Sequence, residues 1–165
     1  MEQPIALGQP RTGPLQGVRV ADFSAIFSGP IAGALLADQG ADVIKIEAFS
    51  GDLMRRGFPQ SGGMASAFTS MNRNKRGLAV DLQKEEGKAI ARQLILSADV
   101  VLENFRPGVM DRLGLGYDTF RETRPKLVYA SINGVGSTGP YANRRVYDAV
   151  IQAISGFTAL RIDGK

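Results

Sequence analysis

GVRVADFSAIFSGPIAGALLADQGADVIKIE, residues 17–47, decides the fold. Val18 to Phe23 is a short β-branched run and Asp42 to Glu47 (DVIKIE) is a second, while the residues between them carry apolar side chains at helical spacing. Pro30 fits the first position of a helix from Pro30 to Gln39, with Ile31, Leu35 and Leu36 expected on its buried face, and Gly40 stands where such a helix ends. A strand, a helix and a strand in this order form one βαβ unit.

The alternation continues downstream. Strands are expected at Leu78 to Leu82, Asp99 to Leu102 and Leu127 to Ile132. Between the first two, Lys84 to Ser97 reads as an amphipathic helix with Ile90, Leu94 and Ile95 inward and Glu85, Lys88 and Arg92 outward. Short helices are expected at Pro107 to Leu113 and Tyr117 to Thr123, and a last one from Tyr147 to Leu160. Ala48 to Met71, with four glycines and Pro59, reads as a long loop carrying no more than a short helical turn, and Asn133 to Arg145 as a glycine-rich loop. The pattern predicts an α/β fold, a Rossmann-like parallel sheet with flanking helices.

Composition narrows the chemistry. With 165 residues, 44% of them apolar and 22% charged, the chain matches one globular domain, and no apolar run approaches the ~18 residues of a membrane span. Zero cysteines and zero histidines exclude thiol nucleophiles, Cys-ligated zinc and imidazole bases, and scattered Asp and Glu give no metal-ligand spacing. A net charge of +4 suits a phosphate-bearing ligand and is too small to argue for nucleic acid. Met1 to Pro14 lacks the apolar core of a signal peptide, so residues 1–14 are expected to be a flexible leader on a cytoplasmic protein, with the α/β domain spanning 15–165.

Several segments fall at the carboxyl edge of the expected sheet, where open α/β sheets bind ligands. Ser24 to Pro30 is a tight strand-to-helix turn whose backbone N–H groups, if free, would hold an anion or a carbonyl. Asn104 and Phe105 follow the fourth strand and offer an amide and an aromatic face, with Arg112 one to two helical turns on. Arg145, Val146, Tyr147 and Asp148 follow the fifth, where Asp148 also suits the start of a helix. Asn72 to Arg76 (NRNKR) is the densest basic cluster, either a solvated face or a phosphate receiver. Gly134 to Gly139 formally spells G-x-G-x-x-G, but Pro140 and the delay of the next helix to Tyr147 argue against a dinucleotide loop.

These residues carry a resemblance. Residues 17–47, NRNKRGLAVDLQKEEGK, ADVVLENFRPGVMDRLGLGYD and LVYASINGVGSTGPYANRRVYDAVIQAISG are similar to the N-terminal part of the family III CoA-transferases of the CaiB/BaiF type, a family that includes the α-methylacyl-CoA racemases. The resemblance implies that acyl-CoA and a carboxylic acid are the substrates, with coenzyme A bound at the strand ends, no metal, and a homodimer of interlocked chains. It implies that Ala25, Ile26 and Phe27 lie against the thioester end, that Val80 lines the adenosine slot, and that Asn104 and Phe105 contact the coenzyme. It further implies that Arg112 meets phosphates, that Arg145, Val146 and Tyr147 border the pantetheine and acyl group, and that Asp148 supports the active site.

The implied mechanism uses an aspartate carboxylate that forms a mixed anhydride and then an aspartyl-CoA thioester. That nucleophile is expected beyond Lys165, and because Asp163-Gly164 reads as the start of a turn, the chain is expected to be the front part of a longer enzyme and inactive alone. Phe27 stands where some transferases carry Gln, which implies a less polar acyl environment, and Ala48 stands where some carry Arg. Tyr147 stands where the racemases usually carry a histidine, and tyrosine, with an ordinary pKa of ~10, is a poor base. The transferase is therefore favoured over the racemase, and a non-catalytic CoA- or nucleotide-binding module stays as the alternative of another class.

Overall fold

Burial on both faces marks strand β1 (Arg19–Asp22), in which Val20, Ala21 and Asp22 are all fully buried. The computed structural model describes residues 12–56 and 59–162, so residues 1–11 of the expected leader lie outside the described residues. From β1 the chain runs through α1 (Ser28–Asp38) to β2 (Asp42–Glu47), which pairs parallel with β1, Arg19 opposite Asp42.

The segment from 48 to 71 holds more structure than its sequence suggests. It contains a 3-10 turn (Leu53–Arg55), a small hairpin of β3 (Gln60–Ser61) and β4 (Met64–Ala65), and α2 (Ser66–Met71). Met54, Ala65, Phe68 and Met71 form a small core of their own, against which Ile26 packs. Strands of two residues are too short to display a period, which is why the pattern missed them.

β5 (Arg76–Ala79) starts two residues earlier than expected and joins the far side of β2, and the Val80 N–H continues the ladder to the Glu47 carbonyl at 2.8 Å. α3 (Glu85–Ser97) then crosses to β6 (Val100–Glu103), on the other side of β1. Two short helices, α4 (Val109–Arg112) and α5 (Tyr117–Phe120), lead to β7 (Val128–Ser131). Gly108, with φ 78°, caps α4, so the helix opens after Gly108 and not at Pro107. The sheet is wholly parallel in the order β5-β2-β1-β6-β7, as the alternation of strands and helices predicts.

The single last helix expected from Tyr147 to Leu160 is two, α6 (Asp148–Ile154) and α7 (Phe157–Ile162), broken at Gly156 with φ 78°. Among the described residues no helix is long and apolar enough to cross a membrane.

The helix faces differ from their expected ones for a packing reason. α1 buries Gly29, Pro30, Gly33, Ala34 and Ala37, while Ile31 and Leu35 stay 42% and 52% exposed and Leu36 is half-buried. Small residues let the helix axis approach β1: a Cβ on Gly33 would sit 2.7 Å from Asp22 Oδ2. α3 likewise buries Gly87, Ala91 and Ile95 and leaves Ile90 exposed. The core lies on both faces of the sheet, with Phe23, Ile95, Val101, Leu115 and Phe120 on the α3 side and Val20, Val43 and Leu102 on the other.

Candidate functional site at the carboxyl edge of the sheet

After β1 the chain turns toward β2, and after β5 it crosses back to β6, so the strand order reverses between β1 and β6. Connections diverge at such a point and leave a crevice beyond the carboxyl ends of the strands. Residues 24–27 follow β1, residues 104–105 follow β6, and residues 145–148 come in from the loop before α6.

The first of these connections is held from every side. The Ser24 N–H donates to Asp22 Oδ1 at 2.9 Å, and the Ser24 hydroxyl bonds the same oxygen. The Ala25 N–H donates to Asn104 Oδ1, and Asn104 Nδ2 donates to the Ala25 carbonyl, both at 2.8 Å. The Ile26 N–H meets the Asp52 carboxylate at 3.2 and 3.3 Å, and Lys45 Nζ donates to the Ser24 carbonyl at 2.7 Å. The turn was expected to offer free N–H groups to an anion. Those of Ser24, Ala25 and Ile26 are instead engaged by side chains of the protein itself.

Two buried ion pairs lie beneath the turn. Lys45 Nζ is 3.0 Å from Asp52 Oδ2, with 2% and 1% of the two side chains exposed. Lys75 Nζ is 2.8 Å from Asp22 Oδ2 and also donates to the Pro30 carbonyl and Asn72 Oδ1. Burial lowers the Lys75 pKa, and the Asp22 charge opposes that shift. Sequence reading passed over Asp22, Lys45 and Asp52 and took Lys75 only as a member of the basic cluster, although Asp22 and Lys45 were visible as charges inside apolar runs of parallel-strand type.

Two adjoining cavities, of about 270 and about 640 Å³, open in front of the turn and share Ile26, Asn104, Asn133, Gly134, Val146 and Tyr147. The smaller adds Ala25, Phe105, Arg106 and Arg145, and the larger adds Phe27 and Asp148. The Phe105 N–H donates to Glu103 Oε2 at 2.8 Å, which fixes the start of that connection. Asp148 is the first residue of α6 and its carboxylate bonds Gln152 Nε2 one turn on. Nine of the eleven residues singled out from the sequence thus gather at one cleft. The other two lie elsewhere: Val80 is buried in the core beside α3, and Arg112 is exposed on α4.

The NRNKR cluster is a structural tie. Arg73 and Asn74 bond Asp38 at the end of α1, Arg76 bonds both oxygens of Asp42 at 2.9 and 2.6 Å, and Lys75 is the buried partner of Asp22. Its three cations each have a carboxylate, which answers the expectation of a phosphate receiver. The Arg73 hydrogen bond holds the Asp38 carboxyl below the usual aspartate range.

An apolar cleft with amide groups at its floor and arginines at its rim suits a ligand that is part acyl chain, part amide and part anion. Comparison with known proteins points the same way. The family model described as CoA-transferase family III matches residues 15–165. The succinate–glutarate CoA-transferase of Agrobacterium fabrum is 42% identical over 158 residues, 91% of this chain and 40% of its own. The formyl-CoA:oxalate CoA-transferase of Streptomyces avermitilis is 44% identical over 148 residues, 88% of this chain and 36% of its own. A crystal structure of a CaiB/BaiF family protein from Brucella suis superposes with a TM-score of 0.83 at 43% identity, over 88% of this chain and 40% of that one. The chain spans between a third and two fifths of the length of such relatives, and both its sequence and its fold show that it belongs to CoA-transferase family III.

Proposed function

We propose that residues 15–165 form the CoA-binding part of an acyl-CoA:carboxylate CoA-transferase. The observation that carries this reading is the clamped turn Ser24–Phe27, which faces Val146, Tyr147 and Asp148 across a cleft at the strand-order reversal of a family III chain. The thioester end of the substrate lies in that cleft, and Arg145 at its rim meets the more polar part of the coenzyme. Arg112, outside the cleft, meets phosphates, and Val80 borders the adenosine slot. Transfer starts when an aspartate carboxylate attacks the thioester carbonyl, which gives a mixed anhydride and expels CoA thiolate. The thiolate then attacks the aspartyl carbonyl and releases the donor acid, leaving an aspartyl-CoA thioester that an acceptor carboxylate resolves by the reverse steps.

Ala25 and Ile26 donate their N–H groups into Asn104 and Asp52, so the oxyanions of these steps take their donors from other groups. The nucleophile is a residue beyond Lys165, and the 165 residues alone bind acyl-CoA without transferring it. Phe27, just before α1, and Ile31 and Leu35 on it form an exposed apolar stripe at four-residue spacing, a surface that a second copy in a cytoplasmic homodimer would cover.

Titration calorimetry with acetyl-CoA tests the reading. Saturable binding that is weakened by Val146→Arg, which fills the cleft, is the expected result; no binding at about 1 mM ligand, the weak end of specific affinity, overturns it.

A further inference from the structure

Two non-glycine residues among those described have φ in the left-handed region, Asn74 at 61° and Ile26 at 69°. Asparagine tolerates that conformation. A β-branched residue does not, and such an outlier persists only where its surroundings impose it.

The surroundings of Ile26 are specific. Asp52 takes its N–H and also the Met54 N–H at 3.0 Å, while its own N–H donates to Glu47 Oε2 at 2.9 Å. Lys45 pairs with Asp52 and at the same time holds the Ser24 carbonyl, so β2 grips the turn on both sides of Ala25. The Ile26 side chain packs on the small core of the 48–71 segment and also lines both cavities. A strained residue in a cleft wall is thus fixed by a buried carboxylate that does not itself line the cleft.

We propose that Asp52, held by Lys45, is a positioning residue for the thioester end of acyl-CoA: by taking the Ile26 N–H it fixes the strained turn and so sets affinity for that half of the ligand without touching it. The inference rests on the CoA reading above. It predicts that the acyl-pantetheine half and the adenosine half of the ligand respond differently to loss of Asp52, which a general loss of folded protein would not produce.

The test compares acetyl-CoA with 3′,5′-ADP, the adenosine half, by titration calorimetry on the wild-type chain and on Lys45→Met/Asp52→Ala, which removes both charges so that neither is left buried alone. Acetyl-CoA affinity is expected to fall about tenfold while 3′,5′-ADP affinity stays within about twofold. Lys45→Met/Asp52→Asn keeps an oxygen for the Ile26 N–H and is expected to recover to within about threefold of wild type, and in an Ile26→Gly background, where glycine holds the left-handed turn unaided, the tenfold loss should shrink. Equal losses for both ligands, an unchanged acetyl-CoA affinity, or an Asn form as weak as the Ala form overturns the positioning role. If Lys45→Met/Asp52→Ala fails to fold, the Asn form and the Ile26→Gly cycle decide by the same ratios. A wild-type chain that binds neither ligand overturns the CoA reading, and the role of Asp52 in binding with it.

Discussion

Asn104 holds the Ala25 residue at both its N–H and its carbonyl, its Oδ1 accepting at 2.8 Å and its Nδ2 donating at 2.8 Å. The two residues follow strands that adjoin in the sheet but lie 79 positions apart in the chain, so one side-chain amide joins the two lips of the cleft. Geometry of this kind demands an amide: a carboxylate cannot donate, and a hydrocarbon can do neither.

Asn104→Asp is therefore expected to be worse than its size suggests. It keeps the acceptor but turns a second oxygen toward the Ala25 carbonyl, and the pair of oxygens repel. Stability should fall by about 1 kcal/mol in urea denaturation, the low end of the cost of a polar group left without its partner, because this pair is only partly buried. The Ala25 amide should exchange faster with deuterium, and acetyl-CoA affinity should drop with it. An Asn104→Asp chain with wild-type stability and wild-type exchange at Ala25 would show that the clamp contributes nothing.

Much of this edge was legible because topology, and not side-chain detail, determines it. Alternating strands and helices gave the parallel sheet, and the parallel sheet placed residues 24–27, 104–105 and 145–148 at one end. The face of α1 was not legible, since apolar bulk pointed to Ile31 and Leu35 whereas the real contact is made by Gly33, Ala34 and Ala37. The reason lies in β1, whose buried Asp22 and its Lys75 partner require a helix surface without bulk. The clamp by Lys45 and Asp52 stayed hidden for a related reason. A charge inside a strand shows that a partner is needed but not which of many carboxylates supplies it, and Asp52 sits in a segment with no period to place it.

Gly33→Ala separates local propensity from packing. In a helix interior the change should stabilise by about 1 kcal/mol on propensity alone. Here the new methyl would meet Asp22 Oδ2 at 2.7 Å and Lys75 Nζ at 3.0 Å, both fixed in a buried pair. Overpacking wins, and a net loss of about 2 kcal/mol is expected in urea denaturation. Any gain in stability would mean that α1 can move off the sheet at little cost.

Arg73→Ala tests the assignment of the basic cluster. Arg73 joins Asp38 at the exposed end of α1, away from the cleft, with nearly half of its side chain exposed. Loss of the pair should cost no more than about 1 kcal/mol, as for other exposed pairs, and leave acetyl-CoA affinity within about twofold of wild type. A tenfold loss of affinity, about 1.4 kcal/mol, would return the cluster to the role of phosphate receiver.

Acid should loosen the segment that carries Asp52. Glu47 bonds Arg55 Nε and a terminal guanidinium nitrogen at 2.8 Å each and accepts the Asp52 N–H at 2.9 Å, while Arg55 lies 3.8 Å over the Phe68 ring. Burial alone would raise the Glu47 pKa, but the Arg55 hydrogen bond, the Asp52 N–H and the nearby cations outweigh it and hold the carboxyl below the usual glutamate range. A carboxyl with a lowered pKa in the folded state adds stability that is present above its unfolded value and lost as pH falls through the folded one. Arg55→Met removes the strongest of the lowering contacts, so wild type should exceed the variant by about 1 kcal/mol at neutral pH. The gap should close as acid protonates Glu47 in both proteins. Urea denaturation from about pH 7 down to about pH 3 measures it. A gap that stays constant across that range would mean that Arg55 stabilises the segment through Phe68 alone and that the Glu47 charge has no part in it.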